Sequence, residues 1–376
     1  MNNREFIGKN CLDELSVLFE EKKFKKILII TGKNSFEKSG AKIKLEKLLQ
    51  KKILKTFFKE NDYPELNELK KFISVITSFK PDVILSIGGG AVLDLAKIGN
   101  CLCLEDNYVN KIKNGSLTVK KKFTKVIAIP TTAGSGAEVT SNAVLYIDKV
   151  KYSIEGKNII PDYAFVDPEL VLSLPKSLSA SSGFDAMSQA IESLFSKKSN
   201  DESVKYAIKS LEYSYSHIEN HVNQKTFSTA YNMCNASFFS GKAINISKTT
   251  APHAVSYPFT AYFGIKHGHA VSLTLTDFIE YNFLKKNYSD AKFDLNERFK
   301  LIFEIFKVND LRELIPKINK ILYNINLETN FNKLNISGKN TVEKIVSNIN
   351  SQRLNNNPVP LTVKSVEEIL LKKIKS

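Results

Sequence analysis

The chain has 376 residues, 43% apolar and 25% charged, with 54 basic against 39 acidic side chains and a net charge of +15. Those proportions describe an ordinary soluble globular protein, the length predicts two domains, and no apolar run is long enough to span a bilayer. The lysine excess is scattered (Lys22, Lys23, Lys25, Lys26; Lys120, Lys121, Lys122; Lys372, Lys373, Lys375), with no stripe or recognisable module, so it argues against a nucleic-acid footprint.

In chain order, the opening MNNREFIGKNCLDEL has no apolar h-region, so a cytoplasmic location is expected. The run 25–32, KKILIITG, reads as a strand closed by Gly32, with a charged helical pattern following to about Lys52. Residues 53–60 read as a strand, 66–79 as a helix, 81–90 as a buried strand entering the turn Gly88-Gly89-Gly90, and 91–104 as the next helix. KVIAIPTTAGSGAEVT (125–140) repeats the design of strand followed by small-residue loop. This alternation predicts an α/β domain with a parallel sheet, helices on both faces, and ligands beyond the carboxyl ends of its strands. After LSLP (172–175) long helical patterns take over, which puts the domain boundary near Pro175: an α/β domain over 1–175 and an all-helical domain over 176–376. Cys11, Cys101, Cys103 and Cys234 have no framework spacing and read as small buried apolar residues in a reducing compartment.

Several features carry chemistry. Glycines 88–90 at a strand end, with a helix opening behind them, offer backbone N–H groups to a phosphate; alone, they are equally a tight turn. The second loop adds the hydroxyls of Thr131, Thr132 and Ser135, and two such loops on one sheet favour a dinucleotide. Asp185 and Gln189 stand i, i+4 on one helix face, and His253 and His267 lie fourteen residues apart. Carboxylate, amide oxygen and two imidazoles suit a divalent first-row metal. Two other readings stay open from the residues alone: Asp185 as a carboxylate satisfying helix N–H groups, and His253 as a core histidine. His217 and His221 are also i, i+4, but their Tyr- and Ser-rich surroundings read as an exposed helix face.

Taken together, GGGAVLDLAK (88–97), IPTTAGSGAEVT (129–140), IIPDYAFVDPELVLSLP (159–175), FDAMSQAIESLF (184–195), the two histidines and NNNPVPLTVKSVEEIL (355–370) resemble the iron-containing (group III) alcohol dehydrogenase family along essentially the whole chain. The resemblance implies an N-terminal dinucleotide-binding α/β domain, an all-α C-terminal domain, a homodimer, and a metal and substrate in the cleft between the domains. It places the metal (Fe2+, with Zn2+ as the alternative) on Asp185, Gln189, His253 and His267, and the cofactor against Gly32, Lys33, the Gly88–Gly90 turn, Asp94, Thr131, Thr132 and Ser135. Gln189 and Tyr257 both stand where the family commonly has histidine. Gln189 and the segment 241–258 resemble one branch, the phosphonoacetaldehyde reductases, in which Lys248, Thr249 and Thr250 would hold a small anionic aldehyde and Tyr257 would donate a proton. Many members hold the adenosine ribose with an acidic residue just after the first strand; Gly32 stands there, and Lys33 or Lys38 could pair with a 2′-phosphate, so NADPH is favoured over NADH. The rival readings are a general dehydrogenase of small aldehydes or diols, the related dehydroquinate synthase group, and a basic, non-catalytic nucleic-acid-binding protein.

Overall fold

A computed structural model describes residues 4–375. Two compact units result, Met1–Leu174 with Thr226–Cys234, and Pro175–Lys225 with Asn235–Ser376.

The first unit is built on a six-stranded sheet, every pairing of which is parallel. Its strands are β1 (Arg4–Ile7), β2 (Lys26–Gly32), β3 (Ile53–Lys59), β4 (Val83–Gly88), β5 (Lys125–Pro130) and, after a hairpin of β6 (Asn142–Ile147) and β7 (Val150–Glu155), β8 (Tyr163–Val166). The order across the sheet is β1-β8-β5-β4-β2-β3. The continuous apolar runs of the central strands follow from burial on both faces. Ile27, Ile29, Val83, Leu85, Ile87, Ile127 and Ile129 join one core. Their alternates Leu28, Ile30, Ile84 and Val126 join the other, with Phe72, Leu95 and Ile98 from the covering helices.

The helix Leu66–Phe79 has the predicted bounds. The pattern read as one helix as far as Lys52 is two, Lys33–Lys38 and Ala41–Leu49, parted at Gly40, whose φ of +80° breaks the ladder. The strands β1, β6, β7 and β8 were not expected from sequence.

Every regular element assigned wholly to the second unit is helical among the described residues, led by Lys176–Phe195 and Asp201–Asn223. Asn200 starts the latter with a capping box, its side chain accepting from the Ser203 N–H while the Ser203 hydroxyl accepts from the Asn200 N–H, both at 2.9 Å. The helix Phe227–Ser247 begins in the segment grouped with the first unit. No helix among the described residues is long and apolar enough to cross a membrane.

Candidate active site

In the first unit, β3 lies on one side of β2 and β4 on the other, so the winding direction reverses between β2 and β4. Crevices beyond the carboxyl ends of strands at such a switch point are where open α/β sheets bind ligands. Here those ends carry Gly32 and Gly88. Gly89 caps the helix Gly90–Leu102 in an extended conformation with no side-chain cap, so the first N–H groups of the helix have no side-chain acceptor at the cap. The second predicted loop is drawn against this turn: the Thr131 N–H donates to the Gly88 carbonyl at 2.9 Å. A Cβ on Gly90 would sit 2.6 Å from the Ser135 hydroxyl, and one on Gly89 would sit 3.2 Å from Thr132. The two loops therefore lie against each other, and a side chain at Gly90 would have to displace the Ser135 hydroxyl. Gly32 ends β2, and Lys33 beside it is exposed; the acidic residue nearest along that helix, Glu37, pairs with Lys42 at 2.8 Å.

Asp94 has other work than the cofactor contact expected of it. Its carboxylate accepts from the Val144 N–H at 3.0 Å and faces the Lys97 ammonium at 3.5 Å. Lys97, 1% exposed, donates to the carbonyls of Ala137 and Asn142 and to the Thr140 hydroxyl at 2.9, 2.6 and 3.1 Å. The pair staples the helix Gly90–Leu102 to β6 and to the end of the second loop. Sequence reading missed Lys97, because nothing in its helical pattern marks a lysine as buried.

The second unit brings the predicted metal ligands together. Asp185 and Gln189 sit mid-helix in Lys176–Phe195, His253 in Ala251–Phe263, and His267 opens His267–Ser272. One donor atom from each of Asp185, His253 and His267 lies within 4.8 Å of the others. His253 Nε2 is 3.3 Å from Asp185 Oδ1, and the two imidazole rings are 5.3 Å apart and nearly perpendicular. Asp185 and His253 are buried, so their lone pairs need a cation or a proton. Burial alone would lower the His253 pKa, but the Glu192 and Asp185 carboxylates outweigh it and raise the value to about 9.

Glu192 was not foreseen. It lies three residues after Gln189 and seven after Asp185, on the same helix face, and is 1% exposed. Its carboxylate takes the His253 Nδ1 proton in a short hydrogen bond and accepts from the Thr250 N–H and hydroxyl, both at 2.9 Å. Nδ1 is thereby held as a donor to Glu192, which leaves Nε2 to face Asp185, as a proton donor without an ion and as a lone-pair donor once an ion displaces that proton. This carboxylate–histidine arrangement is what an outer partner of a metal site looks like, and it fits a bound ion. The spacing of seven from Asp185 was the available signal. Glu192→Gln should preserve the fold and lower metal affinity by about 10- to 100-fold. Titrating apo protein with Fe2+ or Zn2+ measures this, and an unchanged Kd would dismiss the role.

The Thr250 hydroxyl, expected to meet a substrate anion, donates to Glu192 instead. Thr249 is buried, and its carbonyl accepts from Asn356 at 2.9 Å. Lys248 takes a left-handed conformation (φ +62°) that stops the preceding helix, its N–H bonded to the Ile244 carbonyl. Asn356 also donates to Ser196 and to the Ser247 carbonyl, which clamps the segment 247–249. Gln189 turns its amide nitrogen to Asp185 at 3.2 Å and its oxygen to the Ser240 hydroxyl at 3.0 Å. Tyr257 lies over His267 at 5.8 Å between ring centroids; burial pushes its phenol pKa up, and Arg353, hydrogen-bonded to it, opposes that rise. His221 is buried rather than exposed, on the inward stripe with Leu211, Ser214 and Ile218, and burial lowers its pKa to about 3.

Comparison with known proteins identifies the family. The family model for iron-containing alcohol dehydrogenase matches residues 2–168, and that for the C-terminal part of the same family matches 179–374. Among curated proteins, long-chain-alcohol dehydrogenase 1 of Geobacillus thermodenitrificans is 31% identical over 215 residues, 56% of this chain and 54% of that protein. The chain thus spans about half the length of that relative, and the match to the aldehyde-alcohol dehydrogenase of Streptococcus pneumoniae covers 26% of that protein. A solved sulfoacetaldehyde reductase from Bifidobacterium kashiwanohense, in complex with NAD+, is 27% identical with a TM-score of 0.89, covering 99% of this chain and 97% of its own. With family matches to both halves and a fold shared with such neighbours over nearly its full length, the chain belongs to the iron-containing alcohol dehydrogenase family.

Proposed function

We propose that this protein is a metal-dependent NAD(P)H oxidoreductase that reduces phosphonoacetaldehyde, a small anionic aldehyde, to 2-hydroxyethylphosphonate. The observation that carries the reading is the Asp185–His253–His267 cluster with Glu192 behind it. The sulfoacetaldehyde reductase named above supports the substrate class, since sulfonate and phosphonate are both tetrahedral oxyanions on a two-carbon aldehyde.

A divalent ion at the cluster supplies Lewis-acid polarisation of a carbonyl oxygen, and a bound reduced nicotinamide supplies the hydride. The residues do the rest. Asp185 provides negative charge to hold the cation, and Glu192 keeps the His253 Nδ1 proton so that Nε2 stays a lone-pair donor. Gln189 is the fourth donor in this reading, by rotation of its carboxamide. The Ser240 hydroxyl has one proton and two acceptors, the Ser237 carbonyl at 2.9 Å and Gln189 Oε1 at 3.0 Å. Rotating the carboxamide lets Gln189 donate to Ser240 and lets Ser240 keep Ser237, but gives up the amide donation to Asp185 at 3.2 Å, so the rotated form is favourable only with a cation between the two oxygens. Tyr257, its phenol pKa raised by burial, stays protonated near neutrality and holds a proton beside His267. The Gly88–Gly90 turn takes the pyrophosphate. Without a carboxylate at Gly32 to repel a 2′-phosphate, NADPH serves at least as well as NADH.

The names of the Geobacillus relative and of the NAD-dependent methanol dehydrogenase of Bacillus methanolicus (27% identical over 308 residues) favour a second reading, a dehydrogenase of uncharged alcohols. Following NADPH and NADH absorbance with phosphonoacetaldehyde, lactaldehyde and butanal, with and without chelator, decides between them. The expected result is a kcat/KM at least about tenfold higher for the anionic aldehyde, a single charge-assisted contact's worth, and loss of activity on chelation. Equal values on butanal would select the second reading, and undiminished turnover after chelation would end both.

A further inference from the structure

The second unit holds a cavity of about 200 Å³ that the metal cluster does not use; none of Asp185, His253 and His267 lines it. Its wall comes from the end of the helix His267–Ser272, the start of the helix Leu275–Leu284, the helices Leu311–Asn324 and Val363–Lys375, and Thr329. Drug-sized ligands occupy roughly 300–1,000 Å³, so an occupant here has only a few carbon atoms. The lining is polar, with Ile315 its one apolar side chain. Asp277 stands in the first turn of its helix and pairs with Lys373 at 2.8 Å, so these two charges cancel. Glu280, at the mouth, has no cation within ion-pair distance among the described residues, which leaves the cavity with one negative charge.

Thr276, four residues before Glu280, is only 9% exposed, yet its hydroxyl lines the cavity with no hydrogen-bond partner among the described residues. A buried polar group left in that state is costly unless something in the cavity meets it. The Asn319 amide and the Thr329 hydroxyl also line it without a protein partner among the described residues. Ser272 gives its proton to the His269 carbonyl at 2.7 Å and turns only lone pairs to the space. One unbalanced carboxylate and several oxygen acceptors match an ammonium group, which carries three N–H donors and no acceptor. A divalent metal ion fits less well, because one of the two carboxylates is already taken by the Lys373 ammonium. We propose that this cavity binds a small primary ammonium compound that also carries a hydroxyl. The ammonium sits on the Glu280 carboxylate, and Thr276, Asn319 and Thr329 share its remaining donors and the hydroxyl. The site does not depend on which aldehyde the enzyme reduces.

Ethanolamine is the probe, titrated by calorimetry into the metal-loaded protein, with ethylene glycol and acetate as the neutral and anionic controls. Saturable binding of ethanolamine at least about tenfold tighter than of either control is expected, a charge-assisted contact's worth. Glu280→Gln keeps the shape and removes the charge at an exposed position, and should raise the Kd by at least about tenfold. Thr276→Val removes the buried hydroxyl and should raise it by about three- to tenfold. The urea midpoint of Glu280→Gln should match that of the wild type, so that lost affinity is not lost fold. Amine captured by the metal cluster instead would leave both variants at the wild-type Kd and overturn the proposal. So would no saturable binding, ethylene glycol binding as well as ethanolamine, or acetate binding more tightly, the last of which would give the cavity to Lys373.

Discussion

Replacing Gly268 by alanine is expected to cost the protein both stability and its metal. A Cβ at this position would lie 1.9 Å from the Ser181 carbonyl oxygen and 2.8 Å from the Asp185 Cβ. The first is a backbone atom inside the helix Lys176–Phe195 and cannot rotate away. The two helices must separate, and Asp185 and His267 lie on opposite sides of that contact, Gly268 being the residue after His267. Overpacking in a tight core costs about 1–3 kcal/mol, and a clash between two helix backbones belongs at the upper end. The variant should unfold at lower urea concentration and lose most of its bound ion on dialysis, as measured by elemental analysis. Full metal content with an unchanged midpoint would show that the close approach does not govern the site.

Lys97→Met is the second large effect, and it concerns the first unit. Methionine keeps most of the apolar stem and removes the ammonium. Four groups then lose the ammonium: the carbonyls of Ala137 and Asn142, the Thr140 hydroxyl and the Asp94 carboxylate, which keeps only the Val144 N–H. Burial disfavours the cation itself, and lowers the Lys97 pKa, but losing one partner of a buried charge pair is worse than keeping both, by about 3–5 kcal/mol. Because the staple ends on Ala137, within the loop that meets the Gly88–Gly90 turn, dinucleotide affinity should fall together with stability. The urea midpoint and the Kd for NADPH measure the two effects. A variant as stable as the wild type would mean that the carbonyls find other donors.

What could be read from the chain follows from where burial is periodic. The central strands are apolar on both faces and stand out as runs. By contrast β1 and β8 are four residues each, and β1 carries exposed Arg4 and Glu5, so neither leaves a run to detect. The β6–β7 hairpin turns at Asp148 and Lys149, both with positive φ (53° and 65°), conformations usually marked by asparagine and glycine. In the site, Asp185, His253 and His267 were legible because their chemistry is scarce in this chain. Glu192 and Lys97 were not, because a glutamate or a lysine in a helix ordinarily faces water, and only the assembled core shows otherwise. The bond from Thr250 to Glu192 was not legible for the same reason: a hydroxyl in sequence does not say which acceptor will claim it.

The clamp made by Asn356 has a consequence for the order of events during synthesis. It reaches across 109 residues to Ser247 and 160 to Ser196, and the stretch it steadies leads straight into Thr250, the neighbour of Glu192 and His253. Contacts so distant along the chain close late in folding. A nascent polypeptide that has already delivered both imidazoles still lacks the brace that holds their surroundings.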